Sequence, residues 1–279
     1  MTDPVADSVA GPVAVARTFL FVPGHRPDRF AKAAASGADL VILDLEDAVA
    51  PDRKDEARDH VRAWLAEGHP AVVRVNAGET PWHDQDVAAI RNLATAVVLP
   101  KAETPRQLEA LAAGLPGTPI LPLIETALGV VQAVAICGAE AVVRPAFGNV
   151  DLAAQLGVDH ASHEALRHAR SAVVLAAAAT GRAAPVDGVT TALEDASILD
   201  ADLEHAKSLG FTGKLCLHPR QVPVSNRALS PTGAEIAWAH RMLSRSADGV
   251  TVVDGQMVDR PVLRRAQAIL ARAGHGLPQ

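Results

Sequence analysis

Aromatic side chains are scarce in this 279-residue sequence: they make up 3% of the residues, and tyrosine is absent. Hydrophobic residues nevertheless account for 49% of the chain, which excludes a disordered protein and predicts a mainly aliphatic core. The only two cysteines, Cys137 and Cys216, stand in apolar surroundings. This usage argues against a disulfide framework and favours a reducing, cytoplasmic location.

Long hydrophobic runs and an excess of positive charge are also missing. No stretch approaches the roughly 18 apolar residues of a membrane helix. The first residues contain neither the basic region nor the apolar segment of a signal peptide. The formal net charge of −6 argues against a nucleic-acid surface. We therefore expect no membrane and no nucleic acid among the partners.

Short apolar segments alternate with segments of helical spacing along most of the chain. The predicted strands cover 18–22, 40–45, 71–75, 96–99, 120–124, 141–147, 184–186 and 213–217, and the predicted helices cover 27–36, 53–67, 83–93, 105–113, 127–136, 161–180 and 195–209. Continuously apolar strands that alternate with helices predict a parallel sheet buried on both faces. Eight such units favour an α/β TIM (β/α)8 barrel over an open doubly wound sheet, because neither a G-x-G-x-x-G motif nor a P-loop occurs.

Three parts are predicted along the chain: a loose tail at 1–16, the barrel at 17–222 and a C-terminal helical and hairpin extension at 223–279. In the extension, Ser230 and Pro231 are predicted to start a helix, and Asp254-Gly255 to form a hairpin turn. A barrel closes without this extension, so we expect it to act as a lid or an oligomer arm.

Each predicted strand ends in a polar or ionisable residue, and these ends carry the active site in TIM barrels. The carboxylates at these ends are Asp44, Glu46, Asp47, Glu125, Asp151 and Asp187. Several carboxylates in one concave site require a cation, and all-oxygen ligands favour Mg²⁺ or Mn²⁺. Arg74, within the third strand, suits a substrate oxyanion. The sequence therefore predicts a divalent-metal site at the mouth of the barrel.

Simpler roles are open for several of these residues. Aspartates after a strand often cap the next helix, and this is the alternative role for Asp44, Asp47 and Asp151. Cations after a glycine turn suit a phosphate-bearing ligand, although a charged helix face is equally expected. These cations are Arg26, Arg29 and Lys32. His218 is predicted as an ordered turn histidine rather than a base, and Lys101 as an electrostatic or structural residue.

Seven segments occur in an order that resembles the citrate lyase β-subunit-like branch of the HpcH/HpaI aldolase superfamily. They are FLFVPGHRPDRFAKAAASGADLVILDLEDAVAP, VVRVN, VVLPKAET, LIETALGV, FGNVDLAAQLG, GFTGKLCLHPRQV and DGQMVD, spanning about 17–272. The resemblance implies a TIM barrel with a C-terminal extension that forms a trimer or hexamer. It also implies Mg²⁺-dependent cleavage or formation of a carbon–carbon bond next to an acyl thioester.

The resemblance also implies roles for individual residues at the barrel mouth. Glu125 and Asp151 match the metal ligands of the family. Glu46 and Asp47 match residues that bind metal-linked water. Arg74 matches the arginine that faces the keto-acid oxygen and the developing enolate.

Further positions follow from the same resemblance. Asp259 matches an aspartate that reaches into a neighbouring subunit's site as an acid/base. Three cations match the region that contacts the phosphates of coenzyme A in relatives: Arg26, Arg29 and Lys32. Asn149 stands in a ligand-facing loop where the family often has serine, and His25 where it often has asparagine or serine. These two differences bear on the identity of the substrate rather than on the class of reaction.

Together these features predict a Mg²⁺-dependent lyase acting on a short 3-hydroxyacyl-CoA thioester, such as citramalyl-CoA or malyl-CoA. Its products would be an acyl-CoA and a 2-keto acid, formed through an enolate. The alternatives are a thioesterase on the same substrate, a citryl lyase subunit that uses acyl-carrier-protein thioesters, and a non-catalytic regulator that binds CoA or a keto acid. A regulator need not retain an acid/base such as Asp259, which disfavours that alternative.

Overall fold

The computed structural model describes residues 11–244, 251–253 and 256–274, and it divides into two compact units, Met1–Asn226 and Arg227–Gln279. In the first unit, eight parallel strands form a closed barrel in sequence order. They are β1 (Thr18–Pro23), β2 (Leu40–Asp44), β3 (Val72–Arg74), β4 (Ala96–Leu99), β5 (Ile120–Ile124), β6 (Ala146–Phe147), β7 (Val186–Asp187) and β8 (Gly213–Cys216). The predicted TIM barrel is confirmed.

Helices connect the strands, as parallel neighbours require. They are α1 (Gly11–Val15), α2 (Phe30–Ala34), α3 (Lys54–Ala66), α4 (His83–Ile90), α5 (Pro105–Gly114), α6 (Ala127–Val131), α7 (Ala133–Gly138), α8 (Asn149–Leu156), α9 (His163–Ala179), α10 (Ala196–Leu209) and α11 (Gln221–Leu229). The segment predicted as one helix at 127–136 is two helices, because the chain leaves helical geometry at Gln132 (φ −93°, ψ 5°). Helices α8 and α11 were not predicted.

Two apolar layers explain why the strands are continuously hydrophobic. Successive residues of a strand point to opposite faces. Phe19 and Val72 belong to a cluster inside the barrel, whereas their neighbours Leu20 and Val73 pack against the surrounding helices. Both faces of each strand are therefore buried, and the polar groups are left to the strand ends.

A buried arginine lies just before a short strand and anchors part of the predicted tail. The strand predicted at 141–147 is paired as a strand only at Ala146–Phe147, after Pro145, which has no N–H to donate. Arg144 is fully buried and donates to the carbonyl oxygen of Ala16 (2.6 Å) and to Thr212 Oγ1 (2.7 Å). Both acceptors precede strands, so this arginine lies at the amino-terminal end of the barrel. Helix α1, within the predicted loose tail, is anchored there: Val13 is buried and its carbonyl also accepts from Arg144.

The second unit contains helices α12 (Gly233–Ser244) and α13 (Arg260–Gly274) and strands β9 (Thr251–Val253) and β10 (Gln256–Val258), which pair antiparallel as the predicted hairpin. The predicted turn residues Asp254 and Gly255 lie outside the described residues. Helix α12 is capped by Thr232, whose hydroxyl accepts the N–H of Glu235 (3.2 Å), so the predicted cap at Ser230 was wrong. No described helix is long and apolar enough to cross a membrane.

Candidate active site

A cavity of about 870 Å³ opens at the carboxyl end of the barrel. Its wall includes Arg74, Glu125 and Asp151, which come from the ends of three different strands. Residues after β1 and β8 form another part of the same wall. The strand-end convergence expected from the sequence therefore brings most of the predicted side chains to one place.

Arg74 is the last residue of β3 and is held by two carboxylates from the end of β2. Its Nε and Nη2 donate to the two oxygens of Asp44 (2.7 and 2.6 Å), and its Nη1 lies 2.9 Å from Glu46 Oε2. Burial lowers the pKa of Arg74, but the charges of Asp44 and Glu46 outweigh it and raise that pKa above its ordinary value. A guanidinium has five N–H groups, so Arg74 retains donors for a substrate oxygen beyond this bidentate pair.

Asp44 does not cap a helix, which was the simpler prediction for its position, but accepts two N–H groups of the turn after β2. One oxygen accepts the N–H of Glu46 (2.9 Å) and the other accepts that of Ala48 (3.2 Å), while both bind Arg74. The carboxylate thus ties the end of β3 to the loop after β2. The side chains of Asp44 and Asp47 therefore lie in different surroundings: Asp44 is buried against Arg74, whereas Asp47 is exposed and lines the cavity.

Lys101, two residues after β4, lies close to three carboxylates of the site. Its Nζ lies 2.6 Å from Glu46 Oε1 and 3.8 Å from Asp151 Oδ2. Its backbone N–H donates to Glu125 Oε1 (2.8 Å). The expected electrostatic role of Lys101 is consistent with these contacts, but the sequence did not indicate their number.

Glu125 carries the most perturbed carboxylate of the mouth. It is 3% exposed, and burial together with the charges of Glu46 and Asp151 raises its pKa to about 8. Gly148 allows this carboxylate its position, since a Cβ at residue 148 would lie 2.7 Å from Glu125 Oε2. The burial of Glu46 likewise raises its pKa, and Glu46 Oε2, although 2.9 Å from Arg74 Nη1, accepts no well-aligned hydrogen bond within the described residues.

These groups fit a divalent cation bound through oxygen. Glu125 and Asp151 follow the adjacent strands β5 and β6, and nearby cations do not fully balance their negative charge. Mg²⁺ usually binds one or two protein carboxylates, and water and substrate supply its other ligands. No group of three or more His, Cys, Asp or Glu residues in the described parts of the chain is arranged to hold an ion. The site therefore suits a metal that keeps several non-protein ligands.

The predicted coenzyme A region is only partly at the cavity. Arg29 and Lys32 line it, whereas Arg26 pairs with Asp28 (2.7 Å) and does not. Arg220, after β8, also lines the cavity and was missed by the sequence reasoning, although it follows a predicted strand end.

Asn149, predicted to face the substrate, holds the loop after β7. Its Nδ2 donates to the carbonyl of Val189 (3.1 Å), and its Oδ1 accepts the N–H of the same residue (2.9 Å). Asp187, at the end of β7, is buried in ion pairs with Lys214 and Arg170 (both 2.9 Å) and does not line the cavity. The polar residues at the strand ends therefore do not all reach the cavity, and Asp187 is one that does not.

Comparisons with known proteins agree with this geometry. A family model described as HpcH/HpaI aldolase/citrate lyase matches residues 17–219. The citrate lyase subunit beta-like protein of Mycobacterium tuberculosis is 43% identical over 265 residues, which are 92% of this chain and 95% of the relative. The chain belongs to the HpcH/HpaI aldolase/citrate lyase family.

Two further comparisons concern a relative with a named activity and a relative with bound ligands. A (3S)-malyl-CoA thioesterase of Cereibacter sphaeroides is 36% identical over 269 residues, covering 92% of this chain and 94% of the relative. The crystal structure of CitE from Mycobacterium tuberculosis in complex with magnesium, acetoacetate and coenzyme A matches with a TM-score of 0.80 at 40% identity, covering 94% of this chain and 99% of that chain. The predicted lyase-type enzyme family is confirmed, and the presence of magnesium in that relative agrees with the predicted cofactor.

In this member of the family, a buried lysine fixes the loop that carries the β2 carboxylates. Lys54 Nζ donates to the carbonyls of Leu45 (2.7 Å) and Glu46 (2.8 Å) and to Asn76 Oδ1 (2.6 Å). All three ammonium protons are used. Asn76 in turn donates to Asp86 (2.6 Å), so α3, α4 and the loop after β3 are joined beneath the site.

Asp259 lies in the second unit of this family member, immediately before α13. Its Oδ1 accepts the N–H of Val262 (3.2 Å), so within the chain it caps that helix. The role of this residue in a neighbouring subunit's site stays a prediction.

Proposed function

We propose that this chain is a Mg²⁺-dependent carbon–carbon lyase that cleaves or forms a short 3-hydroxyacyl-CoA thioester, such as citramalyl-CoA or malyl-CoA. The products of cleavage are an acyl-CoA and a 2-keto acid. The observation that carries the proposal is the pairing, in one cavity, of incompletely compensated carboxylates with a bidentately held arginine. A lyase needs the first to hold a cation and the second to meet a developing oxyanion.

Glu125 and Asp151 are the residues that would hold Mg²⁺, with Mn²⁺ as the alternative ion. When bound, the ion supplies Lewis-acid polarisation of the hydroxyl and carboxylate oxygens of the substrate. With the ion bound, Glu46 and Asp47 would accept hydrogen bonds from its water. Burial raises the pKa of Glu46, and Arg74 and Lys101 oppose that rise, because each oxygen of Glu46 lies within 2.9 Å of one of these cations.

Cleavage begins at the substrate hydroxyl, which gives its proton to water while the O–H electron pair becomes the second bond of the keto carbonyl. The bond between the carbinol carbon and the carbon next to the thioester breaks, and its electron pair forms the thioester enolate. Arg74 offsets the negative charge that develops there, as preorganised donors do in a dry site. Asp259 of a neighbouring copy then protonates the enolate carbon. This step requires a homo-oligomer, a trimer or a hexamer.

Coenzyme A binds through its phosphates on the cavity wall formed after β1. Arg29 and Lys32 line that wall, and neither makes an ion pair with a carboxylate in the described parts of the chain. Their free positive charge suits a phosphate group. Arg26 contributes less, since Asp28 offsets its charge.

A substrate panel tests the proposal. Malyl-CoA, citramalyl-CoA and citryl-CoA are incubated with the protein in Mg²⁺ and in a chelator, and the release of keto acid and free thiol is measured separately. A lyase releases keto acid with no free thiol, and the chelator abolishes that release. Keto acid that appears equally with the chelator would contradict the metal dependence, and no turnover of any thioester, with binding retained, would favour the regulator.

Variants assign the residues within that reaction. Glu125→Gln should lower kcat/KM about a hundredfold or more and remove Mg²⁺ binding measured by calorimetry. Glu140→Gln serves as the matched control, because it makes the same substitution at an exposed glutamate. Asp259→Asn should lower kcat while Mg²⁺ binding is retained.

Mixing two inactive variants tests whether subunits share a site. If Asp259 acts across an interface, co-expressed Glu125→Gln and Asp259→Asn chains should recover part of the activity, because some sites receive both native residues. Each variant expressed alone should stay inactive. Lack of recovery in mixed oligomers that are shown to form would contradict the shared site.

A second candidate is a thioesterase on the same substrates. The observation that favours it is the 36% identity to a protein named (3S)-malyl-CoA thioesterase. In this reaction water adds to the thioester carbonyl and the thiol of coenzyme A leaves, so free thiol appears without keto acid. The same panel separates the two reactions, and an acyl-carrier-protein thioester of citrate added to it tests the carrier-dependent alternative.

A further inference from the structure

Lys101 has a backbone conformation that its side chain disfavours. Within the described parts of the chain, Asn92 (φ 60°) and Lys101 (φ 49°) are the only non-glycine residues with positive φ. Asparagine tolerates this region, whereas a lysine in it is uncommon. Such a conformation persists where the surroundings hold it, and it often marks a functional position.

The conformation lets one residue reach carboxylates that follow three different strands. The backbone N–H of Lys101 donates to Glu125 (2.8 Å), and its ammonium group bonds Glu46 (2.6 Å) and lies 3.8 Å from Asp151. The N–H and the side chain of a residue in an extended strand would diverge. The turn after β4 therefore points both donors of Lys101 into the carboxylate cluster.

The contacts treat the three carboxylates differently. Both oxygens of Glu46 face a cation, Arg74 at 2.9 Å and Lys101 at 2.6 Å. Among the described residues, Glu125 accepts a hydrogen bond only from a neutral N–H, and Asp151 lies beyond hydrogen-bond distance of the ammonium group. The negative charge that is left without a close cation belongs to Glu125 and Asp151.

We propose that Lys101 is a positioning residue that withholds Glu46 from the metal, limits the direct protein ligands to Glu125 and Asp151, and so favours Mg²⁺ over Ca²⁺. The proposal rests on the metal site of the proposed function. Mg²⁺ keeps several waters and uses one or two carboxylates, whereas Ca²⁺ takes six to eight oxygens and binds more tightly as carboxylates are added. Without the ammonium group, Glu46 Oε1 becomes available as a third carboxylate oxygen.

Three variants separate this role from a structural one. Lys101→Met removes the charge at similar length, and Lys101→Arg keeps the charge. Asn92→Gly is the matched control for positive φ, because Asn92 precedes β4 at the opposite end of the barrel. The dissociation constants of Mg²⁺ and Ca²⁺ are measured by calorimetry on chelator-treated protein, and thermal melting of the metal-free protein reports folding.

Lys101→Met should shift the affinity ratio toward Ca²⁺ by about tenfold, the effect expected of one added carboxylate oxygen. Lys101→Arg and Asn92→Gly should keep the wild-type ratio. A folded Lys101→Met protein with the wild-type ratio, or with equal loss of both affinities, would overturn the proposal while leaving the metal site intact. A wild-type protein that binds neither ion would overturn both this proposal and the metal-dependent function.

Discussion

Replacing Lys54 by methionine tests whether the loop after β2 must be held rigidly for catalysis. Lys54 is buried and does not line the cavity, but it donates three hydrogen bonds, two of them to the backbone of Leu45 and Glu46. Methionine preserves the length of the side chain and removes all three donors. The change therefore loosens the segment that carries Glu46 and Asp47 without altering the cavity wall.

The magnitude follows from opposing effects. Three buried acceptors lose a donor, at a cost of about 1–3 kcal/mol each. Burial of the ammonium group is relieved, which recovers several kcal/mol. We expect a net loss of about 2–3 kcal/mol in the free energy of unfolding, or a fall in Tm of roughly 5–10 °C.

The functional effect should exceed the loss of stability at the assay temperature. A displacement of about 1 Å at a positioned group can cost a hundredfold in rate. Lys54→Met should therefore lower kcat by about tenfold to a hundredfold, with little change in the KM for the thioester. Arg62→Met, which removes an exposed cation from the same helix α3, should change neither quantity. A destabilised Lys54→Met protein with wild-type kcat would refute the reasoning and leave Lys54 a structural role only.

Three other outcomes are expected. Gly148→Ala should weaken Mg²⁺ binding in calorimetry, because the added Cβ displaces Glu125, whereas Gly78→Ala, with open space around it, should not. Mg²⁺ at a hundred times its dissociation constant should raise the free energy of unfolding by about 2.7 kcal/mol, and a chelator should remove this gain. Burial and the neighbouring His163 lower the pKa of His205, so the unfolded chain takes up its proton first, and stability falls as pH drops below about 6.5. His205→Gln should make the fall in Tm between pH 7.5 and pH 5.5 smaller, and an equal fall would contradict the assignment.

The barrel was predictable because its strands are buried on both faces. Alternate residues such as Val72 and Val73 both need an apolar environment, which a continuous hydrophobic run records directly. The place of the cavity was predictable too, since parallel strands bring their carboxyl ends to one edge. Glu125 and Asp151 meet for this reason.

The pairing of charges was not predictable from spacing. Asp44, Glu46 and Asp47 are almost adjacent in sequence, yet their surroundings differ. Asp44 binds Arg74 through both oxygens, Glu46 lies between Arg74 and Lys101, and Asp47 is exposed. Which partner each acid meets depends on strands far along the chain. Asp187 shows the same limit, because its position at a strand end predicts the site but its partners, which include Lys214, remove it from the cavity wall.

The charge balance of the mouth connects these separate contacts. Four buried or half-buried carboxylates, from Asp44, Glu46, Glu125 and Asp151, face the two cations Arg74 and Lys101. Two negative charges are left over, and a buried site cannot retain them without a counter-charge. Burial first, and then the charges of Glu46 and Asp151, raise the pKa of Glu125 in this chain. A divalent ion matches the excess, and loss of Lys101 would increase it by one, which is why the same lysine is expected to set both the position of Glu46 and the choice of metal.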